Sequence, residues 1–327
     1  MLKRLINAAQ IDIDIIPIDP LLIKSGQATV GGVDMSFVRT WHTGKGEEPF
    51  IPGSSLKGMI RAYAEKICRS LKDKPVPVCL PYVKPGAEDK GEFGQASCGL
   101  RFDKYQKNNS AIPSYDIYKH SCPVCRLFGS HVFIGRLATS DAYLTETFKN
   151  SEKAVLEIRD GVAIDRITGG SKGGAKYDLE VLTRGEFGTS INIRNFERWQ
   201  MGLIGLILRD MVQGQLRLGF GKSRGLGRFR VNITSFILSY YNKNITDFKG
   251  ISAICEDEQM SYGFFKENTS ETANLGNCHR NGLRYDYDIT SQWEDILEPG
   301  VSDFTSFIKT NNWPNTIENY LKQEKNK

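Results

Sequence analysis

The segment Gly219-Phe220-Gly221-Lys222-Ser223-Arg224-Gly225-Leu226-Gly227-Arg228-Phe229-Arg230 constrains this chain more than any other. Four glycines within nine residues let the backbone take positive φ and let another chain or a ligand approach closely. Lys222, Arg224, Arg228 and Arg230 stand among and after them. Backbone amides plus cations on a turning loop suit a polyanion, of which a phosphodiester strand is the usual case. Spacing excludes two common phosphate motifs. A P-loop needs a glycine where Leu216 stands, and no acidic ribose-binding pattern follows as a dinucleotide site requires. The plainer alternative is a glycine-rich turn with solvated charges.

Charge is distributed unevenly. Residues 236–327 carry 9 Lys and Arg against 14 Asp and Glu, which leaves 34 against 24 in residues 1–235. Polyanion contact is therefore expected in the first two-thirds of the chain. No apolar run reaches the length of a membrane span, and the first residues lack a signal-peptide core and cleavage site. The expectation is a soluble, cytoplasmic protein without a membrane partner.

Apolar residues cluster and alternate over 11–24, which predicts a buried strand followed by a glycine-containing loop to Asp34. After Pro52-Gly53, either Ser54 or Ser55 is placed to cap a helix with apolar positions Leu56, Ile60, Tyr63 and Ile67. Lys57 and Arg61 fall one turn apart on that helix, near an N-terminus that attracts anions. Residues 71–121 show little periodicity, so the stretch needs an organiser. Residues 157–166 and 177–181 read as strands of a long hairpin with a Gly/Lys apex over 168–176, and 197–213 as a second amphipathic helix.

His120-Ser121-Cys122-Pro123-Val124-Cys125 suggests what the organiser is. Two cysteines separated by two residues can direct two thiolates at one ion, with His120 as a third ligand and Cys79 or Cys98 as the fourth. A structural zinc is the favoured reading. A redox dithiol is the rival, in a setting without a thioredoxin-like βαβ pattern. Cys68, Cys255 and Cys278 read as ordinary core or surface residues, although Cys278-His279 could chelate weakly.

Four motifs occur in order: Ile51-Pro52-Gly53-Ser54-Ser55-Leu56-Lys57-Gly58 with Arg61; Cys122-Pro123-Val124-Cys125-Arg126-Leu127-Phe128-Gly129; Ile164-Asp165-Arg166-Ile167-Thr168-Gly169; and Gly221-Lys222-Ser223-Arg224-Gly225-Leu226-Gly227. Over about residues 15–235 the chain resembles the RAMP (repeat-associated mysterious protein) superfamily, most closely the backbone subunits of type III CRISPR effector complexes.

The resemblance implies an α+β fold: a modified ferredoxin-like, RNA-recognition-type palm within residues 1–235. Zinc-stabilised fingers would be inserted at about 70–130, with a protruding thumb hairpin at about 160–182. Residues 236–327 would be an extension of unassigned role. It further implies partners: a CRISPR RNA guide, its paired target RNA, and other subunits of a filament-like ribonucleoprotein. Ser54, Ser55, Lys57, Arg61, Arg136, Arg166, Lys172, Lys176, Gly221, Lys222, Ser223 and Arg224 are the expected RNA-binding residues. Asp34, on the loop after the first strand, is the residue implied for Mg²⁺-dependent cleavage of the target. His42, close in sequence, could serve as an accessory proton carrier, with a lone surface histidine as the simpler reading. Alternatively Asp34 caps the loop or pairs with Arg39, leaving a scaffold without catalysis. A metal-independent ribonuclease that matures the guide is a third option, weakened by a count of four histidines.

Overall fold

The structure, a computed structural model, describes residues 4–26, 32–42, 46–84, 96–108, 111–313 and 315–325. It begins with strand β1 (Asn7–Pro17), in which buried Ala9, Ile11, Ile13 and Ile15 alternate with Gln10, Asp12 and Asp14. Period-two alternation commits one face to the core. The strand is shifted from the expected 11–24 and ends at Pro17. Pro17 and Pro20 have no N–H for a ladder, and beyond them Leu21 and Lys24 make only isolated bridges, to Leu182 and Phe37.

A short hairpin, β2 (Arg39–His42) and β3 (Gly46–Pro49), leads to helix α1 (Gly53–Leu71), which buries Leu56, Ile60 and Ala64. Its N-cap is Pro52, so neither Ser54 nor Ser55 performs the capping expected of it. The first amide, Gly53 N–H, donates instead to the Asp141 carboxylate at 2.7 Å. A Cβ at Gly53 would lie 2.7 Å from the Thr139 carbonyl oxygen, so only glycine allows this docking.

Three helices then follow, α2 (Cys98–Asn108), α3 (Ser114–His120) and α4 (Pro123–Phe128). Short strands β4 (Gly129–Ser130), β5 (Phe133–Ile134), β6 (Leu137–Thr139) and β7 (Tyr143–Leu144) come next, with helix α5 (Glu146–Ser151). The long hairpin is formed by β8 (Val155–Ile164) and β9 (Ser171–Arg184), a few residues longer at its base than the sequence reading and with a shorter apex: residues 165–170 make the turn, so 171–176, expected in the apex, are strand. Residues 157–160 and 162–164 are exposed, so the hairpin stands away from the core. Strand β10 (Phe187–Arg194) precedes helix α6 (Arg198–Val212), close to the expected 197–213. A reciprocal capping box between Glu197 and Gln200 sets where α6 starts.

Strand β11 (Phe229–Tyr241) runs antiparallel to β1. The last elements are α7 (Ile251–Ile254), α8 (Glu256–Tyr262), β12 (His279–Asn281), β13 (Arg284–Asp288), α9 (Trp293–Thr310) and α10 (Asn315–Lys325). The main sheet is antiparallel, in the order β12-β13-β11-β1-β10-β6, and β7 also pairs with β10. Within it β1, β6, β10 and β11, with α1 and α6 as the two crossovers, are compatible with a ferredoxin-like palm.

Residues 236–327 continue this body. Strand β13 extends the sheet beyond β11, and α9 packs along α6. The two helices meet where a Cβ on Gly202 would fall 2.0 Å from the Gly300 carbonyl group, so the backbones touch directly. One turn away, buried Arg198 Nε donates to Asp303 Oδ2 at 2.6 Å, and its other nitrogens donate to the Glu271 and Asn268 carbonyls. Among the described residues, no helix is long and apolar enough to cross a membrane.

Candidate nucleic-acid interface and cysteine cluster

The glycine-rich loop takes the conformation its sequence requires. Gly219, Gly221, Gly225 and Gly227 all have positive φ, between 69° and 86°. Two of them also permit close approach: a Cβ would meet the Leu22 carbonyl oxygen at 2.2 Å from Gly219 and the Leu218 carbonyl oxygen at 2.1 Å from Gly227. The loop is pinned to the segment after β1, where Phe220 N–H donates to Leu22 O and Gly227 N–H to Pro20 O. Arg217 braces it from within, donating to the Lys222 carbonyl oxygen at 2.7 Å. Lys222, Ser223, Arg224, Arg228 and Arg230 are exposed on it, and Arg228 also pairs with Asp19 at 3.4 Å.

This loop meets the long hairpin partway along its length, at Tyr177, which pairs with Gly161. Arg224 Nη1 donates to the Tyr177 hydroxyl at 2.6 Å, and the guanidinium lies over Phe220, which Lys24 also covers at 4.1 Å. Gly161 lets the Tyr177 ring lie across β8, since a Cβ there would stand 2.2 Å from that ring. The segment after β1 reaches the same place. Met35 exchanges backbone hydrogen bonds with Asp178 and Glu180, and the exposed Asp34 carboxylate accepts from the Asp178 N–H at 3.1 Å. Asp34 does not pair with Arg39, whose guanidinium contacts Glu180 at 2.5 Å. The carboxyl of Asp178 is held above the ordinary range by its hydrogen bond with Asp160, by burial and by nearby charge, Asp34 included. Acidic groups (Asp34, Asp160, Asp178 and Glu180) and cationic or aromatic ones (Lys24, Arg224, Tyr177 and Phe220) thus gather beside the middle of the hairpin.

Other expected RNA contacts are placed variously. Ser54 is exposed and Ser55 half-buried at the start of α1. Lys57 is half-buried, and burial followed by Arg61 lowers its pKa. Arg166 is exposed at the hairpin tip, and Lys176 is exposed and paired with Asp160 at 3.3 Å. The side chains of Lys172 and His42 lie outside the described residues.

Two arginines turn inward instead of towards an RNA strand. Arg136 is buried: its guanidinium sits 4.1 Å above the Tyr118 ring and donates to the Asn195 carbonyl. Arg61 donates to Glu65, to the Gly129 carbonyl and, at 3.4 Å, to Cys125 Sγ. Both brace neighbouring elements, so Lys57 and the two serines are the expected contacts that remain on α1. Sequence reading had missed Lys24, Tyr177 and Phe220. Only the cation–aromatic alternation around the glycines hinted at them.

The Sγ atoms of Cys79, Cys98, Cys122 and Cys125 all lie within 4.8 Å of one another, and all four residues are buried. Both candidates for the fourth position therefore belong to the set. Cys122 caps α4 with its own sulfur, which accepts from Cys125 N–H at 3.4 Å, while Cys122 N–H donates to Cys98 Sγ at 3.3 Å. Amide-to-sulfur bonds of this kind favour thiolates, and a compact set of four cysteines can hold a metal such as zinc. His120 is not part of it. Its ring stacks on Tyr320 of α10 with centroids 4.3 Å apart, and burial, with Lys119 and Arg126 nearby, pushes the imidazole down to about 4. The histidine ends α3 facing the C-terminal helix, so spacing alone misplaced it.

A family model described as the RAMP superfamily matches residues 34–230. The match covers more than half of the chain and includes Asp34, the cysteine cluster, the hairpin and the whole glycine-rich loop. The chain belongs to the RAMP superfamily. Membership supports a CRISPR-associated RNA-binding subunit that associates with CRISPR RNA and other subunits. No curated protein sequence matches the chain. The match leaves out β1, which is nonetheless the central strand between β11 and β10.

Proposed function

We propose that this protein is a backbone subunit of a type III CRISPR effector complex. It holds the guide RNA along the glycine-rich loop and the start of α1, and its long hairpin acts as the thumb. The observation that carries the reading is the junction beside the middle of the hairpin, where Arg224, Tyr177, Lys24 and the Asp34 loop converge. Exposed glycine amides and cations grip a phosphodiester chain irrespective of base identity. Exposed Ile158, Val162, Ile164 and Ile167 give the thumb an apolar surface suited to wedging between bases. The polar open side of β1, with Asp12 and Asp14, offers no aromatic platform, so the sheet face is not the RNA-binding surface in this reading. Copies or relatives then stack along the guide, and zinc held by the four cysteines keeps the fingers folded.

In the same reading Asp34 promotes cleavage of the target RNA paired to the guide. A Mg²⁺ ion would supply charge neutralisation at the scissile phosphate. The only group of three or more described His, Cys, Asp or Glu residues with mutually close ligand atoms is the cysteine set. Asp34 would therefore share the ion with RNA oxygens and water, a coordination typical of Mg²⁺. Asp34's own task is to present a carboxylate, fixed by the Asp178 N–H, beside the thumb.

That bond also favours the second reading, in which Asp34 only secures the loop to the hairpin and the subunit is a scaffold. Asp34→Asn separates the two, since an amide oxygen keeps the bond to Asp178 N–H and the charge is lost. In a reconstituted complex with Mg²⁺ and matched target, the cut made by this subunit is expected to fall by at least about a hundredfold with guide binding unchanged. Undiminished cutting at that position would leave the scaffold reading.

A further inference from the structure

A cavity of about 260 Å³ lies between α1 and the segment entering the glycine-rich loop. Its walls are Met59, Tyr63 and Lys66 from the helix and Leu216, Arg217 and Lys222 from the segment. The helical residues follow a spacing of four and three, so they form one stripe, turned away from the Lys57–Arg61 row. Apolar side chains line it at Met59 and Leu216, and its rim carries two ammonium groups. Among the described residues neither Lys66 nor Lys222 has a carboxylate partner. Partial burial and the facing Lys66 both lower the affinity of Lys222 for its proton. Two like charges across a partly dry cleft are unfavourable until an anion lies between them.

Two of the other polar groups, Tyr63 and Arg217, are already committed. Tyr63 donates its hydroxyl to Asp210 at 2.7 Å, which fixes the ring as a wall, and burial with that bond raises its pKa to about 12. Among the described residues, Asp210 is the one acidic group hydrogen-bonded to a lining side chain, and its charge is directed at the phenol. Arg217 is held by the Lys222 and Leu226 carbonyls, so it shapes the opening.

We infer that this cavity receives a single nucleotide of the bound RNA strand. Its phosphate would lie between Lys66 and Lys222, and its base against Met59, Tyr63 and Leu216. The inference rests on the RNA-binding reading above and adds to it a site for a base, where the glycine-rich loop itself contacts only backbone. The volume falls just below the roughly 300–1,000 Å³ of small-molecule sites, which suits one nucleotide and not a larger ligand. Lys222 belongs to both the cavity and the loop, so a strand gripped by the loop already has one phosphate at the rim. A base is admitted by shape and apolar contact, with little discrimination among bases.

The test uses the full-length protein and a single-stranded RNA carrying 4-thiouridine, cross-linked by light and mapped by mass spectrometry. Cross-links to Tyr63 or Met59 are expected. Ala62→Leu, an exposed helix position lining the cavity, narrows its mouth without disturbing the core. That variant and Lys66→Ala are each expected to weaken RNA binding at least about fivefold, within the range of a lost base-stacking contact. An RNA with abasic residues should bind the wild type and Ala62→Leu equally. Suppose RNA still binds in a manner dependent on Lys222 and Arg224, while Ala62→Leu and Lys66→Ala change nothing. The cavity assignment is then overturned and the RNA-binding reading stands. Absence of any RNA binding removes both. Displacement of the cross-link by uridine monophosphate at micromolar concentration, with abasic RNA bound as tightly as intact RNA, would assign the cavity to a free mononucleotide and overturn the strand assignment.

Discussion

Cys122→Ser combined with Cys125→Ser is expected to leave the purified protein without metal and to unfold the segment between α1 and β4. That segment relies on helices of eleven, seven and six residues. Helices below about 12–15 residues are marginal without tertiary support. Here the support converges on four sulfurs: Cys79 follows α1, Cys98 opens α2, Cys122 caps α4 and Cys125 lies within it. Zinc binding to structural thiolate sites is worth about 10–16 kcal/mol in small peptides, comparable with the whole stability of many domains at about 5–15 kcal/mol. Loss of two ligands should therefore show in far-ultraviolet circular dichroism and as rapid proteolysis over residues 72–128. Elemental analysis should give one equivalent of metal for the wild type and none for the double variant. A wild-type protein that carries no metal as purified and melts unchanged in the presence of chelator would contradict this.

Asp303→Ala is expected to lower stability by about 3–5 kcal/mol, the usual cost of orphaning one member of a buried ion pair. Arg198 and Asp303 are almost fully buried where α6 crosses α9, and Asp303 also accepts the Asn268 N–H at 3.0 Å. Glu267 Oε2 stands 3.7 Å from Arg198 Nε, beyond hydrogen-bond distance, its Oε1 is anchored by Gly250 N–H and Ser252 Oγ–H, and burial raises its pKa. It is poorly placed to replace Asp303. The double variant Arg198→Met with Asp303→Leu should recover part of the loss, because no charge is then left without a partner. Urea unfolding reads both. Wild-type stability in Asp303→Ala would mean that residues 236–327 are not an integral layer of the fold.

Local rules were legible in the sequence and tertiary partners were not. Positive φ at Gly219, Gly221, Gly225 and Gly227 follows from composition and spacing, as does the α6 span with its Glu197–Gln200 box. The Cys122–Cys125 pair was readable for the same reason: its geometry is contained in four residues. Cys79 and Cys98 reach the cluster from distant points, and sequence could not decide between them.

His120 had knuckle-like spacing, yet Tyr320, two hundred residues later, decides where its ring goes. Arg61 and Arg136 looked like surface cations. A cysteine sulfur, two carbonyls and an aromatic face turn them inward, and those groups come from other elements. The acidic C-terminal third gave no sign that β13 would extend the sheet, because its strands are short, β12 exposed and β13 only half-buried. Tyr177 was read merely as a strand residue. Its pairing with Arg224 requires the fold.

The central claim is that exposed cations on the glycine-rich loop hold an RNA strand. Its most direct test is the affinity of the full-length protein for a labelled single-stranded RNA, measured by fluorescence anisotropy between 50 and 200 mM salt. The comparison is with Lys222→Ala combined with Arg224→Ala. The wild type is expected to bind with a log–log salt slope set by about −0.7 per neutralised phosphate. The double variant should bind at least about tenfold more weakly, with a slope shallower by about 1.4. An unchanged affinity and an unchanged slope in the double variant would contradict the account.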